Sequence, residues 1–243
     1  MLVAFLKYRT TLILLIFFTV AGCSGGSTTT STTAATTSTT FPLSQAVSTS
    51  VSSGWSKTFS LSQTGSTTCS GSGSRVVSPA STSTTFNVTP TNTVSALSSV
   101  QTLTWSWTNC TPSTGASTST SYYNPSNYLG LGFNNSVSYG SFLTAPSYPA
   151  TVTINTSGTI GTETLYTDST QAVNDGRSDF SYTVAADTAD TALVTFIGKR
   201  YSSAGVLQST DLELWRISTT GVLTPITSTV QYATGTNVVY TYN

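Results

Sequence analysis

Few side chains in this chain can do chemistry, and their types narrow the field quickly. There is no histidine. Ser-His-Asp and Cys-His nucleophilic catalysis are therefore excluded, and the commonest nitrogen ligand for zinc is missing. Glu163 and Glu213 are the only glutamates. Glycoside hydrolysis needs two acids facing one bond, but these two belong to separate predicted strands, and solvated sheet positions account for them equally well. Asn174-Asp175-Gly176-Arg177-Ser178-Asp179 offers oxygen atoms of the kind that hold calcium. Arg177 in its middle argues against a cation, and a tight hairpin turn needs the same Asp-Gly pair. No phosphate-cradling glycine loop and no Cys/His metal spacing occurs. The expectation is a protein without catalytic centre, metal or cofactor.

The three cysteines carry different information. Ahead of Cys23 lie Lys7 and Arg9, then the apolar run Thr11 to Val20, then Ala21 and Gly22. A charged region, an apolar region and small residues, in that order, make an export signal. The apolar run is too short to span a bilayer, which takes roughly 20 residues. Val20-Ala21-Gly22-Cys23 resembles the lipobox of bacterial lipoproteins. The resemblance covers residues 1–23 and implies cleavage after residue 22, with Cys23 acylated as the mature N-terminus. Several acyl chains anchor a protein stably where one holds only marginally. Ser24 after the cysteine resembles the pattern for sorting to the outer membrane of two-membrane bacteria. Export also makes a disulfide the default state of Cys69 and Cys110, 41 residues apart.

Behind the cysteine, residues 24–40 hold 13 Ser or Thr among 17, with no charge and no aromatic ring. Such a stretch cannot bury enough surface to offset chain entropy and reads as a tether. The predicted organisation is a signal peptide over 1–22, lipidated Cys23 and tether over 23–40, and one domain over 41–243. Charged residues make up 7% of the chain, against about 25% in ordinary domains. Net charge is zero, so there is no basic footprint for nucleic acid. Ser and Thr replace the charges, while 11% aromatic content can still build a core. Abundant Thr, Val and Tyr favour strands.

The periodicities agree. Phe59/Leu61, Phe86/Val88 and Leu103/Trp105/Trp107 alternate with hydroxyl residues, as half-buried strands do. The paired tryptophans read as core rather than as a sugar platform. Val152/Ile154, Thr162 to Asp168, and Phe180/Tyr182/Val184 continue the pattern, with a hairpin turn predicted at Asn174–Gly176. Residues 192–197 (ALVTFI) are apolar on both faces and predict a strand covered on both sides. Hairpins follow to Tyr242. The fold class is all-β, an antiparallel β-sandwich or an up-and-down β-barrel.

Between Pro112 and Pro149 the alternation disappears while aromatic density peaks, among Asn, Ser, Gly and Pro. A long aromatic loop of this composition suits recognition. Tyr122, Tyr123 and Tyr128 are the candidate binding residues. The expected function is a lipid-anchored cell-envelope module, binding or structural, with the membrane as one partner and a glycan, cell-wall or protein partner at the loop. The alternatives are a lipocalin-like carrier of an apolar ligand and a carboxylate-dependent hydrolase. A cavity lined by Phe and Tyr would mark the carrier.

Overall fold

The computed structural model describes residues 39–243. The export signal, Cys23 and most of the tether lie outside them. The chain first forms helix α1 (Leu43–Ser53) and then thirteen strands. These are β1 (Trp55–Thr64), β2 (Cys69–Val77), β3 (Thr82–Thr89), β4 (Asn92–Trp107), β5 (Thr114–Tyr123), β6 (Gly130–Asn135) and β7 (Tyr139–Ser141). They continue as β8 (Ser157–Tyr166), β9 (Asn174–Ala186), β10 (Thr191–Tyr201), β11 (Leu207–Ser218), β12 (Leu223–Tyr232) and β13 (Asn237–Tyr242). From β4 to β13 every strand pairs antiparallel with its chain neighbour. β13 returns to pair with β1, and β2 pairs with both β1 and β4. The sheet is a closed antiparallel barrel of twelve strands.

The thirteenth strand is a continuation rather than a separate stave. β2 pairs with Gln101–Trp107 of β4 and β3 with Asn92–Ser98. The two therefore occupy one edge of β4 in succession. Ser78 and Pro79 interrupt them, because proline has no N–H to give the ladder. Ser78 partly replaces the lost bonds: its hydroxyl accepts from Val100 N–H at 2.8 Å. The β3–β4 hairpin then lies against the outer wall. There Phe86 stacks on Tyr139 at 5.1 Å and meets Tyr122 at 4.7 Å.

The wall shows which side faces water. Phe59 and Leu61 of β1 are buried inward, while Ser56, Thr58, Ser60 and Ser62 are exposed outward. A membrane-spanning barrel has the opposite alternation, apolar out and polar in. This outer surface is hydroxylated and water-facing. For the same reason residues 192–197 are not covered on both sides: Ala192 and Val194 are fully buried inward, but Leu193, Thr195 and Ile197 are only half-buried. A single-walled barrel has no second layer to cover them.

Helix α1 was not anticipated. Ser, Thr and Val are indifferent helix formers, yet Leu43, Ala46, Val47 and Val51 fall at helical spacing on one face. Leu43 and Ala46 are fully buried with Val152, Ile160, Tyr182, Val184, Val194 and Ile217, so the helix closes one end of the barrel. Twelve strands enclose more space than side chains alone readily fill, and the helix takes up part of it. Two smaller expectations are also corrected. Val152 makes one bridge, to Phe41, rather than a strand. Asn174–Gly176 is not the hairpin turn: the connection runs through Thr167–Val173, capped by Asp168 accepting from Thr170 N–H at 2.8 Å. Gly176 sits beside a register shift in β9 with φ 126°, a bulge conformation that only glycine adopts readily.

Cys69 and Cys110 are disulfide-bonded, with Cα atoms 5.8 Å apart. The bond ties the start of β2 to the turn after β4, at the barrel end opposite the helix. Closing a loop of 41 residues stabilises by about 3–4 kcal/mol in the chain-entropy model. Reduction should therefore lower the melting temperature by roughly 10 °C in a domain of this size. A scan with and without reductant checks this, and unchanged melting would remove the bond from the stabilising interactions.

Candidate functional site

Two inward-facing features stand out inside the barrel, one chemically complete and one not. The complete one centres on Arg75 of β2. Its guanidinium donates to Glu213 at 2.7 Å, to the Tyr242 hydroxyl at 2.9 Å and to Gln101 at 2.8 Å. It also lies 5.2 Å from the centre of the Trp55 ring. Trp215 Nε1–H donates to the other Glu213 oxygen at 3.3 Å. Burial works against both charges, but Arg75 and Glu213 hold each other ionised: the guanidinium is raised and the carboxyl lowered. Nearby Asp211 is pushed up to about 6, by burial first and by the Glu213 charge second. Arg75 Nε and Nη1 and both Glu213 oxygens are met within the protein, so this cluster braces the lumen.

The incomplete one is a cavity of about 460 Å³ at the helix end. Its floor is Val47 and Val51 of α1. Gln101, Ser119, Ser121 and Tyr123 come from β4 and β5, Gly130 and Phe133 from β6, Ile160 and Glu163 from β8, and Phe180 from β9. The remaining wall is not a strand. β7 is only three residues long, and the chain beyond it, residues 142–149, fills the gap between β6 and β8. Phe142 N–H donates to Leu131 on one side and Ser147 N–H to Ile160 on the other. Phe142, Pro146 and Tyr148 of this strap line the cavity. Phe142 packs on Phe180 at 5.7 Å and Tyr148 on Phe196 at 6.3 Å.

Glu163 is 4% exposed and lines this cavity. Its ionisation is pushed up to about 8 by burial alone, with no charge and no hydrogen bond compensating. It packs over Gly140 of β7, where an added Cβ would stand 2.7 Å from the Glu163 carboxyl carbon and closer still to the Phe133 ring. Only glycine permits that approach. The Tyr123 hydroxyl is raised, chiefly by burial, and feels Arg75 and Glu163 in opposite directions. Tyr148 is pushed up to about 12, again by burial.

The segment Pro112–Pro149 is thus not one loop: half of it forms β5, β6 and β7. β5 reads TGASTSTSYY: its lumen face carries Ser117, Ser119 and Ser121 and its outer face Thr118 and Thr120. Apolar alternation is absent because both faces are hydroxylated, not because the strand is. The three candidate tyrosines separate. The Tyr122 ring packs outward under the β3–β4 hairpin. Tyr123 faces the cavity from the end of β5. Tyr128 reaches the cavity rim from the β5–β6 turn, with φ 57°. That strained backbone is held by Tyr128 N–H donating to Asn124 and Leu129 N–H to the Asn127 side chain. The turn docks on α1, where Ser48 donates to the Asn127 carbonyl at 3.2 Å.

The chain matches no protein-family model, and no curated protein or solved structure is significantly similar to it. The site must be read on its own terms. Glu163 and Glu213 both face the lumen, but Glu213 is committed to Arg75, and neither glutamate perturbs the other's ionisation. They are not a facing acid pair. Among the described residues no cluster of three or more His, Cys, Asp or Glu side chains could hold a metal. Aromatic walls, a partial helix floor and one acid without a charged partner make a concave, mostly apolar space. Phe133, Phe142 and Tyr148 were visible in the sequence as aromatic density. Val47 and Val51 were not, since the helix carrying them was missed.

Proposed function

We propose that this protein is a binding barrel that holds a small, mostly apolar molecule, displayed from a bacterial membrane by an acylated Cys23. The observation that carries the binding reading is the cavity, lined by Phe133, Phe142, Tyr148, Phe180 and Ile160. Ligand sites are typically concave, aromatic-lined and furnished with few polar groups. A closed all-β barrel is compatible with such a carrier. The reading moves the recognition surface from an exposed tyrosine loop to the barrel interior, because Tyr123, Tyr128 and Tyr148 contribute to the cavity wall.

Gly130 gives the direct test. A Cβ there would meet Phe142 at an ordinary 3.5 Å, so Gly130→Leu adds its bulk towards the cavity without a backbone clash. Wild-type full-length protein should bind phenylbutanol, a neutral aromatic probe, in calorimetry. Gly130→Leu should weaken that binding at least tenfold while keeping the far-ultraviolet spectrum of the barrel. Equal binding by the two proteins would place the ligand elsewhere.

The anchor rests on the lipobox resemblance. Cys23→Ser should release the protein from the membrane fraction of expressing bacteria. Quantitative retention there would set the acylation reading aside. A tether of 17 residues has a root-mean-square reach on the order of 20–25 Å, enough to hold the barrel clear of the headgroups.

A further inference from the structure

The cavity contains one acid and no base. Glu163 is more than nine-tenths buried, faces the aromatic space and has no partner in the protein. A buried polar group without a partner costs stability, and a buried carboxyl costs most when ionised. Arg75 is not that partner: it is engaged with Glu213, Tyr242 and Gln101, and no cation acts on the Glu163 ionisation. Among the described residues lining the cavity there is no Lys or Arg. The ionisable residues lining the space besides Glu163 are Tyr122 and Tyr123 on β5, Tyr128 on the turn and Tyr148 on the strap, the Tyr122 ring itself packing against Phe86. Tyr123 and Tyr148 are held protonated by burial.

We propose that Glu163 recognises a cationic nitrogen, so that the cavity takes a small organic amine with its apolar body among the rings and its protonated head at the carboxyl. Two features select this class over other apolar ligands. The rings of Phe133, Tyr123 and Tyr148 line the space, and aromatic rings attract a desolvated cation. An anionic ligand such as a fatty acid would meet an acid and no base, so it is disfavoured twice. A neutral alcohol fits the walls but leaves Glu163 only a hydrogen bond. The inference rests on reading the cavity as a ligand site, and it makes Glu163 a specificity determinant there.

Binding also has a proton signature. In the empty barrel Glu163 is protonated below about pH 8. A protonated amine entering at pH 6 favours the carboxylate, so close to one proton should leave to solvent for each ligand bound. Phenylbutanol should release none.

The experiment compares phenylbutylamine, phenylbutanol and phenylbutanoate by titration calorimetry with the full-length protein, in two buffers of different ionisation enthalpy. Wild type should bind the amine at least tenfold tighter than the alcohol, bind the carboxylate weakest, and release close to one proton with the amine alone. Glu163→Gln, which keeps the shape, should lose the amine preference and the proton release while retaining phenylbutanol. Gly130→Leu should lose both ligands. If wild type binds amine and alcohol equally, or Glu163→Gln keeps the preference, the amine inference is overturned while the cavity reading stands. If none of the probes binds wild type, both fall.

Discussion

Glu163→Gln should stabilise the empty protein at pH 8 and leave it nearly unchanged at pH 4. The Glu163 carboxyl is 4% exposed, and its folded-state ionisation is raised from 4.5 to about 8 by burial. A carboxyl raised in this way favours the fold only while protonated. Its contribution is complete below about pH 4.5 and is withdrawn as the pH climbs to about 8. Each unit corresponds to about 1.4 kcal/mol, so the wild type should lose on the order of 3–5 kcal/mol across that window. Glutamine has the same shape and no charge to bury. The difference in melting temperature between the two proteins should therefore grow from near zero at pH 4 to roughly 10 °C at pH 8. Asp211, pushed up to about 6, adds a slope of the same sign, but it is common to both proteins and cancels in the difference. A difference that stays flat from pH 5 to pH 8 would show that Glu163 is not neutral in the folded barrel.

Removing one member of the Arg75–Glu213 pair should cost more than removing both. Their side chains are 18% and 29% exposed and 2.7 Å apart. Losing a partner from a largely buried pair leaves an uncompensated charge, typically at a cost of about 3–5 kcal/mol. The partial exposure here favours the lower end. Arg75→Met strands Glu213 beside Asp211, a second acid already raised by its neighbour's charge. Glu213→Gln strands Arg75 with only Tyr242, Gln101 and the Trp55 face. The double variant removes both charges and should recover much of the loss. Urea denaturation of the two single variants and the double variant measures the coupling directly. Simple additivity of the single losses would mean that the pair does not brace the lumen.

The two glutamates illustrate why chemistry was harder to read than fold. In the sequence they differ only in position, and a facing pair was the reactive arrangement to consider. The barrel turns both inward but gives Glu213 a cation and Glu163 none. That difference depends on β2 lying near β11 across the lumen, where Arg75 meets Glu213 from 138 positions away, and on the strap closing against β8. Local spacing carries no record of them.

Strand content was legible because a half-buried strand imprints a period of two. Phe59/Leu61, Leu103/Trp105/Trp107 and Phe180/Tyr182/Val184 all face the lumen as that period requires. The disulfide was legible from the resemblance of residues 1–23 to an export signal and from the cysteine count. The same rule failed where the barrel asks for hydroxyls on both faces: β5 was lost because Ser and Thr alternating with Ser and Thr leave no signal, and β6, six residues reading GLGFNN, is too short and glycine-rich to show a period. Helix α1 was lost because weak helix formers hide its stripe of Leu43, Ala46, Val47 and Val51.

By itself, then, the chain determined an all-β domain with inward aromatics, an outward hydroxyl surface and a crosslink between Cys69 and Cys110. Those properties follow from residue type and near-neighbour spacing. Closure into twelve strands, the helix across one end and the three-residue β7 that leaves a gap for the strap were decided only in three dimensions. So was the isolation of Glu163. Each depends on which distant segments share a wall, and that is settled by the packing of the whole lumen rather than by any one stretch.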